Sequence, residues 1–164
     1  MVRQLFVLIA ILVLLAACTS ATEMPVIVPA TETPTSIPVT ETPAVCQPSE
    51  ILDTQVAFGE IQGEMQSEGE LWALLFFKTA YTKAEQKIVW RITGEGGEFE
   101  AQAQSESGTI IQPIWKQYHE SSTWERPGLE WGTGFNFPEP GCWTIGVRRG
   151  ETTGTISLDV LASA

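Results

Sequence analysis

Few residues of this chain can bind a metal, act as a base or carry positive charge. It has one histidine, three cysteines and nine Lys and Arg against 20 Asp and Glu, a formal net charge of −11 over 164 residues. A nucleic-acid interface needs a positive surface, and this chain has the opposite sign. A single imidazole excludes a histidine-rich zinc or copper site. The composition therefore excludes a nucleic-acid partner, and no metal or cofactor is expected.

The longest apolar run lies close to the first residue. Thirteen uninterrupted apolar residues, 5–17, follow Arg3. This is shorter than the roughly 20 residues of a membrane-spanning helix and is typical of a secretory signal. The run ends in Leu15-Ala16-Ala17-Cys18, which resembles the lipobox of bacterial lipoproteins. The resemblance implies that 1–17 is removed and that Cys18 is lipidated, which would anchor the chain outside the cytoplasmic membrane. An ordinary signal peptide with a chance cysteine is the alternative.

Residues 18–45 form a Thr/Pro/Glu-rich segment with an internal repeat. The sequence Ala21-Thr-Glu-Met-Pro25 returns nine residues later as Ala30-Thr-Glu-Thr-Pro34, and again as Val39-Thr-Glu-Thr-Pro43. With five prolines and no aromatic residue, this segment cannot build a core, and proline biases it towards extended conformations. We expect a disordered linker that holds a folded domain away from the membrane.

Residues 46–164 have the pattern of an all-β domain. Residues 70–78 are apolar on both faces and predict a central strand, whereas 87–93 alternate, with Trp90 on the apolar side. The glycine-rich turn 94–97 leads into 98–104, which also alternates, so the two segments are predicted to pair as a hairpin. Residues 142–148 and 155–160 alternate in the same way. Trp72, Trp90 and Trp143 are predicted to lie in the core.

Short strands separated by regular turns predict an antiparallel β-sandwich of the immunoglobulin-like type. The segment Phe135-Asn-Phe-Pro-Glu-Pro-Gly-Cys-Trp143 resembles a motif of uncharacterised extracytoplasmic immunoglobulin-like domains of bacterial lipoproteins. Most of residues 69–160 take part in the resemblance, which implies a fold and a location but no activity.

Once Cys18 carries lipid, Cys46 and Cys142 remain as one pair in an oxidising compartment, and we expect a disulfide between them. The alternation places Cys142 on the face opposite Trp143, so the bond would pin the start of the domain rather than cross the core. Two free thiols or a metal pair are the alternatives. A soft metal site from His119, Met65 and a thiol is conceivable, but no spacing favours it.

The segment 110–131 holds the candidate ligand-binding residues. They are aromatic, cationic or imidazole side chains: Trp115, Tyr118, His119, Trp124 and Arg126. Exposed rings beside polar groups would bind a sugar or a peptide, whereas buried rings would plug the open end of the sandwich. A binding surface requires Trp115, Tyr118 and Trp124 to be exposed and roughly coplanar.

Catalysis has little support in the sequence. His119 is the one candidate base, and the nearby Ser121 and Ser122 lack the strand–turn–helix context of a nucleophile elbow. The Glu-rich segment 59–70 lacks the register of a calcium loop and predicts a solvated strand or loop. The sequence thus predicts a non-catalytic envelope lipoprotein that acts as a binding or accessory module, with a cell-envelope protein or glycan as its partner. A carbohydrate- or peptide-binding module that uses the aromatic segment is the alternative.

Overall fold

A computed structural model describes residues 47–164. The predicted signal peptide, the linker, Cys18 and Cys46 lie outside these residues. Within 47–164, no helix has the length and hydropathy of a membrane span. The regular elements of this part are eleven strands: β1 Gly59–Gln62, β2 Glu64–Met65, β3 Leu71–Leu75, β4 Ala80–Tyr81, β5 Glu85–Ile92, β6 Phe99–Ser105, β7 Ile110–Ile111, β8 Trp115–His119, β9 Leu129–Asn136, β10 Gly141–Arg149 and β11 Thr152–Leu161.

The strands form two sheets, which confirms the predicted all-β sandwich. The first sheet has the order β1-β3-β5-β9-β8 and the second has the order β2-β11-β10-β6-β7, with β4 also paired to β11. All pairs are antiparallel except β4 with β11. The orders β3-β5-β9-β8 and β11-β10-β6-β7 match strands A-B-E-D and G-F-C-C′ of immunoglobulin domains. The N-terminal strands β1 and β2 are additions to that arrangement.

The core lies between the sheets and contains one fully buried tryptophan from each. Trp90 on β5 and Trp143 on β10 are buried, as predicted. In antibody domains a disulfide joins the B and F strands, whereas here each of the equivalent strands, β5 and β10, contributes a buried tryptophan to the core. Trp72 was predicted to be a core residue, and that prediction is wrong. Trp72 is half-buried on the outer face of β3, where it packs beside Arg126.

The predicted hairpin between residues 87–93 and 98–104 is also wrong. β5 and β6 alternate as expected, but they belong to different sheets, and the turn between them crosses the sandwich. Gly97, with a φ of 72°, lies so close to the β10–β11 turn that a Cβ there would be 2.5 Å from the amide nitrogen of Gly150. Alternation identifies the buried face of a strand but not its partner, since both strands must cover the same core.

Three short segments occupy the outer edge of β11. β2 pairs with the first part of the strand and β4 with the last. Between them, Ser49 donates its amide to the carbonyl of Ser157 (2.8 Å) and accepts the amide of Ser157 at its Oγ (2.9 Å). The polypeptide therefore enters the domain along this edge.

Candidate functional site

The outer face of the first sheet, which points away from the core, carries polar and aromatic side chains. Strand register arranges them in three rows across the sheet. The Trp115 row consists of Phe76, Lys87, Gly134 and Trp115. The middle row consists of Glu60, Leu74, Val89, Gly132 and Gln117. The Glu130 row consists of Trp72, Arg91, Glu130 and His119.

The strap, defined as residues 120–128 between β8 and β9, folds back over two of these rows. Its Trp124 is 5% exposed and packs in one cluster with Leu74 and Val89 of the middle row. The indole Nε1 of Trp124 donates to a carboxylate oxygen of Glu60 at 3.0 Å. The strap thus supplies a second apolar layer outside the sheet, with its own buried hydrogen bond.

Glu130 lies at the centre of the row named after it and is 4% exposed. One carboxylate oxygen accepts hydrogen bonds from Ser122 Oγ (2.6 Å) and Arg91 Nε (3.1 Å), while the other lies 2.9 Å from His119 Nδ1. Burial by itself would raise the pKa of Glu130, but the hydrogen bonds from Ser122 and His119 and the charge of Arg91 lower it below its ordinary value. The carboxylate stays ionised because its partners replace the lost water.

The same cation that neutralises Glu130 also fixes the end of the strap. Arg91 Nη1 donates to the backbone carbonyls of Arg126 and Gly128, both at 3.1 Å. Arg126 in turn pairs with Glu60 and stacks its guanidinium 4.3 Å from the centre of a Trp72 ring. Glu60 is buried and paired, so the prediction that the whole segment 59–70 is solvated is wrong at this residue.

The strap contacts the middle row and the Glu130 row, and the Trp115 row lies beside them. Two glycines of β9 leave room for the Trp115 indole to lie along the strand. A Cβ on Gly134 would be 2.2 Å from its Nε1, and one on Gly132 would be 3.1 Å from its Cζ3. Cζ3 lies on the opposite side of the six-membered ring from Cε2, which is 2.7 Å from the Gly134 position, so the indole extends along β9 from one glycine to the other. Glu85 accepts the indole N–H at 2.7 Å.

The five candidate ligand-binding residues do not form one surface. Trp124 is buried under the strap, and Arg126 is paired with Glu60. Trp115 and His119 share the outer face of β8, whereas Tyr118 lies on its opposite face, 47% exposed, with its ring 5.5 Å from that of Trp131. Of the three aromatic candidates, only the half-buried Trp115 lies on the outer face outside the strap cluster.

The polar network connects the strap to Glu130. Ser122 donates to Glu130 and not to His119, so the carboxylate lies between the hydroxyl and the imidazole. The direct Ser–His contact of a serine–histidine nucleophile is not formed by these residues. Within residues 47–164, no three His, Cys, Asp or Glu side chains are close enough together to hold a metal ion.

The corner 137–141 is fastened by its glutamate. Glu139 accepts hydrogen bonds from Ser105 (2.7 Å) and from Ser107, and these bonds, together with Thr109, lower the pKa of Glu139. Its backbone carbonyl accepts the indole N–H of Trp143 at 3.1 Å. Glu139 of the 135–143 motif therefore connects the turn after β6 to the buried Trp143.

The comparisons with known proteins assign no relative. No protein-family model matches the chain, and no curated protein matches it. Function is therefore inferred from the sequence signals and from the geometry of the outer face.

Sequence reasoning missed Glu60, Arg91 and Glu130 as members of this site. One signal was present in the sequence. β3 is apolar on both faces, and an outward Leu74 in a strand near the sheet edge requires a cover outside the sheet as well as a core within.

Proposed function

We propose that this protein is a membrane-anchored, extracytoplasmic lipoprotein whose β-sandwich is a non-catalytic binding or accessory module of the cell envelope. The observation that carries the proposal is the order of three sequence signals: an apolar leader that ends in Leu15-Ala16-Ala17-Cys18, a Thr/Pro-rich linker, and a β-sandwich domain. Lipid at Cys18 would anchor the chain, and the linker would hold the domain away from the bilayer.

The polar groups of the outer face support a non-catalytic role. Glu60 and Glu130, the buried carboxylates of that face, are both bonded to the strap or to its neighbours. A buried charge that is fully paired keeps a loop in place, whereas a catalytic acid or base needs a free position towards a substrate.

The predicted Cys46–Cys142 disulfide is part of the proposal. Cys142 lies on β10, opposite Asp159 of β11, and Ser49 lies on the far edge of β11. Two strand spacings are about 10 Å, and the three residue steps from Cys46 to Ser49 extend over about the same distance. Cys46 is therefore within reach of Cys142 across the outer face of β11.

Lipidation is tested by growing a bacterium that expresses the full chain with an alkyne fatty acid and by following the label on the protein. We expect the wild-type chain to be labelled and to fractionate with membranes, and Cys18→Ala to lose both properties. Cys46→Ala is the matched control, since it also removes a thiol but should keep the label. A labelled Cys18→Ala variant, or an unlabelled wild-type chain, would contradict the proposal.

The disulfide has a separate test. Alkylation of the unreduced, denatured wild-type chain should modify neither Cys46 nor Cys142, and mass spectrometry counts the modified thiols. Cys46→Ala should make Cys142 reactive. Two modified thiols in the wild-type chain would refute the pairing.

A further inference from the structure

The Trp115 row combines an aromatic ring at each end with a cation between them. Phe76 continues the register of β3 with β5 beyond its last paired residue, since its amide donates to the carbonyl of Lys87. The Phe76 ring is 40% exposed, and the ammonium of Lys87 lies 4.3 Å from its centre. Trp115 lies two strands further on, past Gly134. Three strand spacings make this row about 14 Å long.

The Trp115 ring is held in place before any ligand arrives. Glycines 132 and 134 leave the space that the indole occupies, and Glu85 accepts its N–H. Because Trp115 is only half-buried, it remains partly accessible to solvent. A fixed ring loses little conformational entropy on binding, which is the advantage of a preorganised site.

The chemistry of the row fits a sugar. The negative face of an aromatic ring attracts the C–H groups of a pyranose, and sugar hydroxyls both donate and accept hydrogen bonds. Lys87 supplies donors between the rings, and the exposed Gln117 lies beside Trp115 on the same face of β8 with an amide that does both.

The size and charge of the site argue against other ligands. A row about 14 Å long and one side chain (about 7 Å) wide offers about 100 Å², whereas a stable protein interface buries about 800 Å² on each partner. The row runs across the strands and reaches a strand edge only at its β8 end, so a peptide lying along it could not add a strand to the sheet. Residues 46–164 have eight Lys and Arg against 17 Asp and Glu, a balance that repels anionic polymers.

We propose that the Trp115 row binds a neutral oligosaccharide, with one sugar ring packed on Trp115, another against Phe76 on the side of its ring away from Lys87, and Lys87 bonding to the hydroxyls between them. The inference rests on the proposed role as an envelope binding module and names its ligand class. It predicts binding whether or not Cys18 is lipidated, so its failure and that of the anchor are separate results.

The test is isothermal titration of the full-length protein in detergent micelles with chitohexaose and with cellohexaose. We expect at least one of them to bind with a Kd of about 10 µM to 1 mM. Trp115→Ala should weaken that binding at least about tenfold, a change of about 1.4 kcal/mol. Phe76→Ala, which removes a 40% exposed ring outside the core, should weaken it several-fold.

Tyr118→Ala is the matched control, because it removes an exposed ring from the same strand but from its other face. It should leave the affinity unchanged. The proposal is overturned if neither sugar binds up to about 10 mM, or if binding survives both Trp115→Ala and Phe76→Ala. It is also overturned if a peptide library binds through Trp115 while both sugars fail.

Discussion

Replacing Trp124 measures how much the strap contributes to the stability of the whole domain. A buried tryptophan removes about 150–250 Å² from water, and at about 25 cal/mol per Å² this corresponds to about 4–6 kcal/mol as an upper figure. Truncations of buried tryptophan to alanine cost about 3–5 kcal/mol. Since the strap lies outside the main core and can partly relax, we expect Trp124→Ala to lower the free energy of unfolding by about 3 kcal/mol.

A second variant separates packing from hydrogen bonding. Trp124→Phe keeps an aromatic ring against Leu74 and Val89 but removes the N–H that Glu60 accepts. Because Glu60 keeps its ion pair with Arg126, the expected loss is only about 1 kcal/mol.

The assay is urea unfolding at pH 7 of residues 18–164 with Cys18 replaced by alanine, followed by tryptophan fluorescence. Ile114→Ala is the control, because this side chain is 52% exposed and should change stability by less than about 0.5 kcal/mol. The reasoning is refuted if Trp124→Ala lowers the free energy of unfolding by less than about 1 kcal/mol. Equal losses in the alanine and phenylalanine variants would show that packing contributes nothing.

Two further predictions concern the Glu130 row. The pKa of Glu130 is lower in the folded state than its ordinary value of 4.5. Around and below pH 4.5 the folded state therefore binds fewer protons than the unfolded state. The contribution of Glu130 to stability is thus complete at neutral pH and is lost in acid. Glu130→Gln should lower stability at pH 7 by about 2–4 kcal/mol, since it leaves Arg91 without its carboxylate. It should also flatten the decline in stability below the ordinary carboxyl pKa of 4.5. Urea midpoints measured against pH check both, and an unchanged slope contradicts the assignment. Gly128→Ala should destabilise by more than about 1 kcal/mol, because its φ is 96° and a Cβ would lie 2.3 Å from the Ile92 carbonyl. Gly108→Ala has a similar φ of 90° but open space around it, so equal losses in thermal unfolding would refute the steric argument.

The sequence predicted which residues face the core wherever apolar and polar residues alternate along a strand. β5, β6, β10 and β11 each bury one face against the same core, so alternation alone identified their inward residues. The alternation did not predict which strands pair with each other. The turn 94–97 looks like a hairpin turn, and only the strand pairings reveal that it joins two sheets.

The candidate site was only partly predictable, because the strap has no periodicity. Residues 120–128 contain no regular element, and their position depends on long-range bonds to Glu60, Arg91 and Glu130. Trp115 was identified as a candidate from its residue type. The feature that distinguishes it from Tyr118, its neighbour on β8, is the pair of glycines on β9, which becomes meaningful only once the register is known.

The covered edge of β11 has a consequence for molecules held close to one another. Exposed strand edges are templates on which a second copy can add its own strand, and such addition grows with local concentration. Here β2, Ser49 and β4 take up the hydrogen bonds of the longest strand in turn, so a neighbouring copy finds no continuous ladder to extend. On the other side of the sandwich, β7 has two residues and β8 carries a lysine, Lys116, both of which discourage pairing. When domains are crowded at a surface, these three edges would therefore resist the addition of a neighbour's strand.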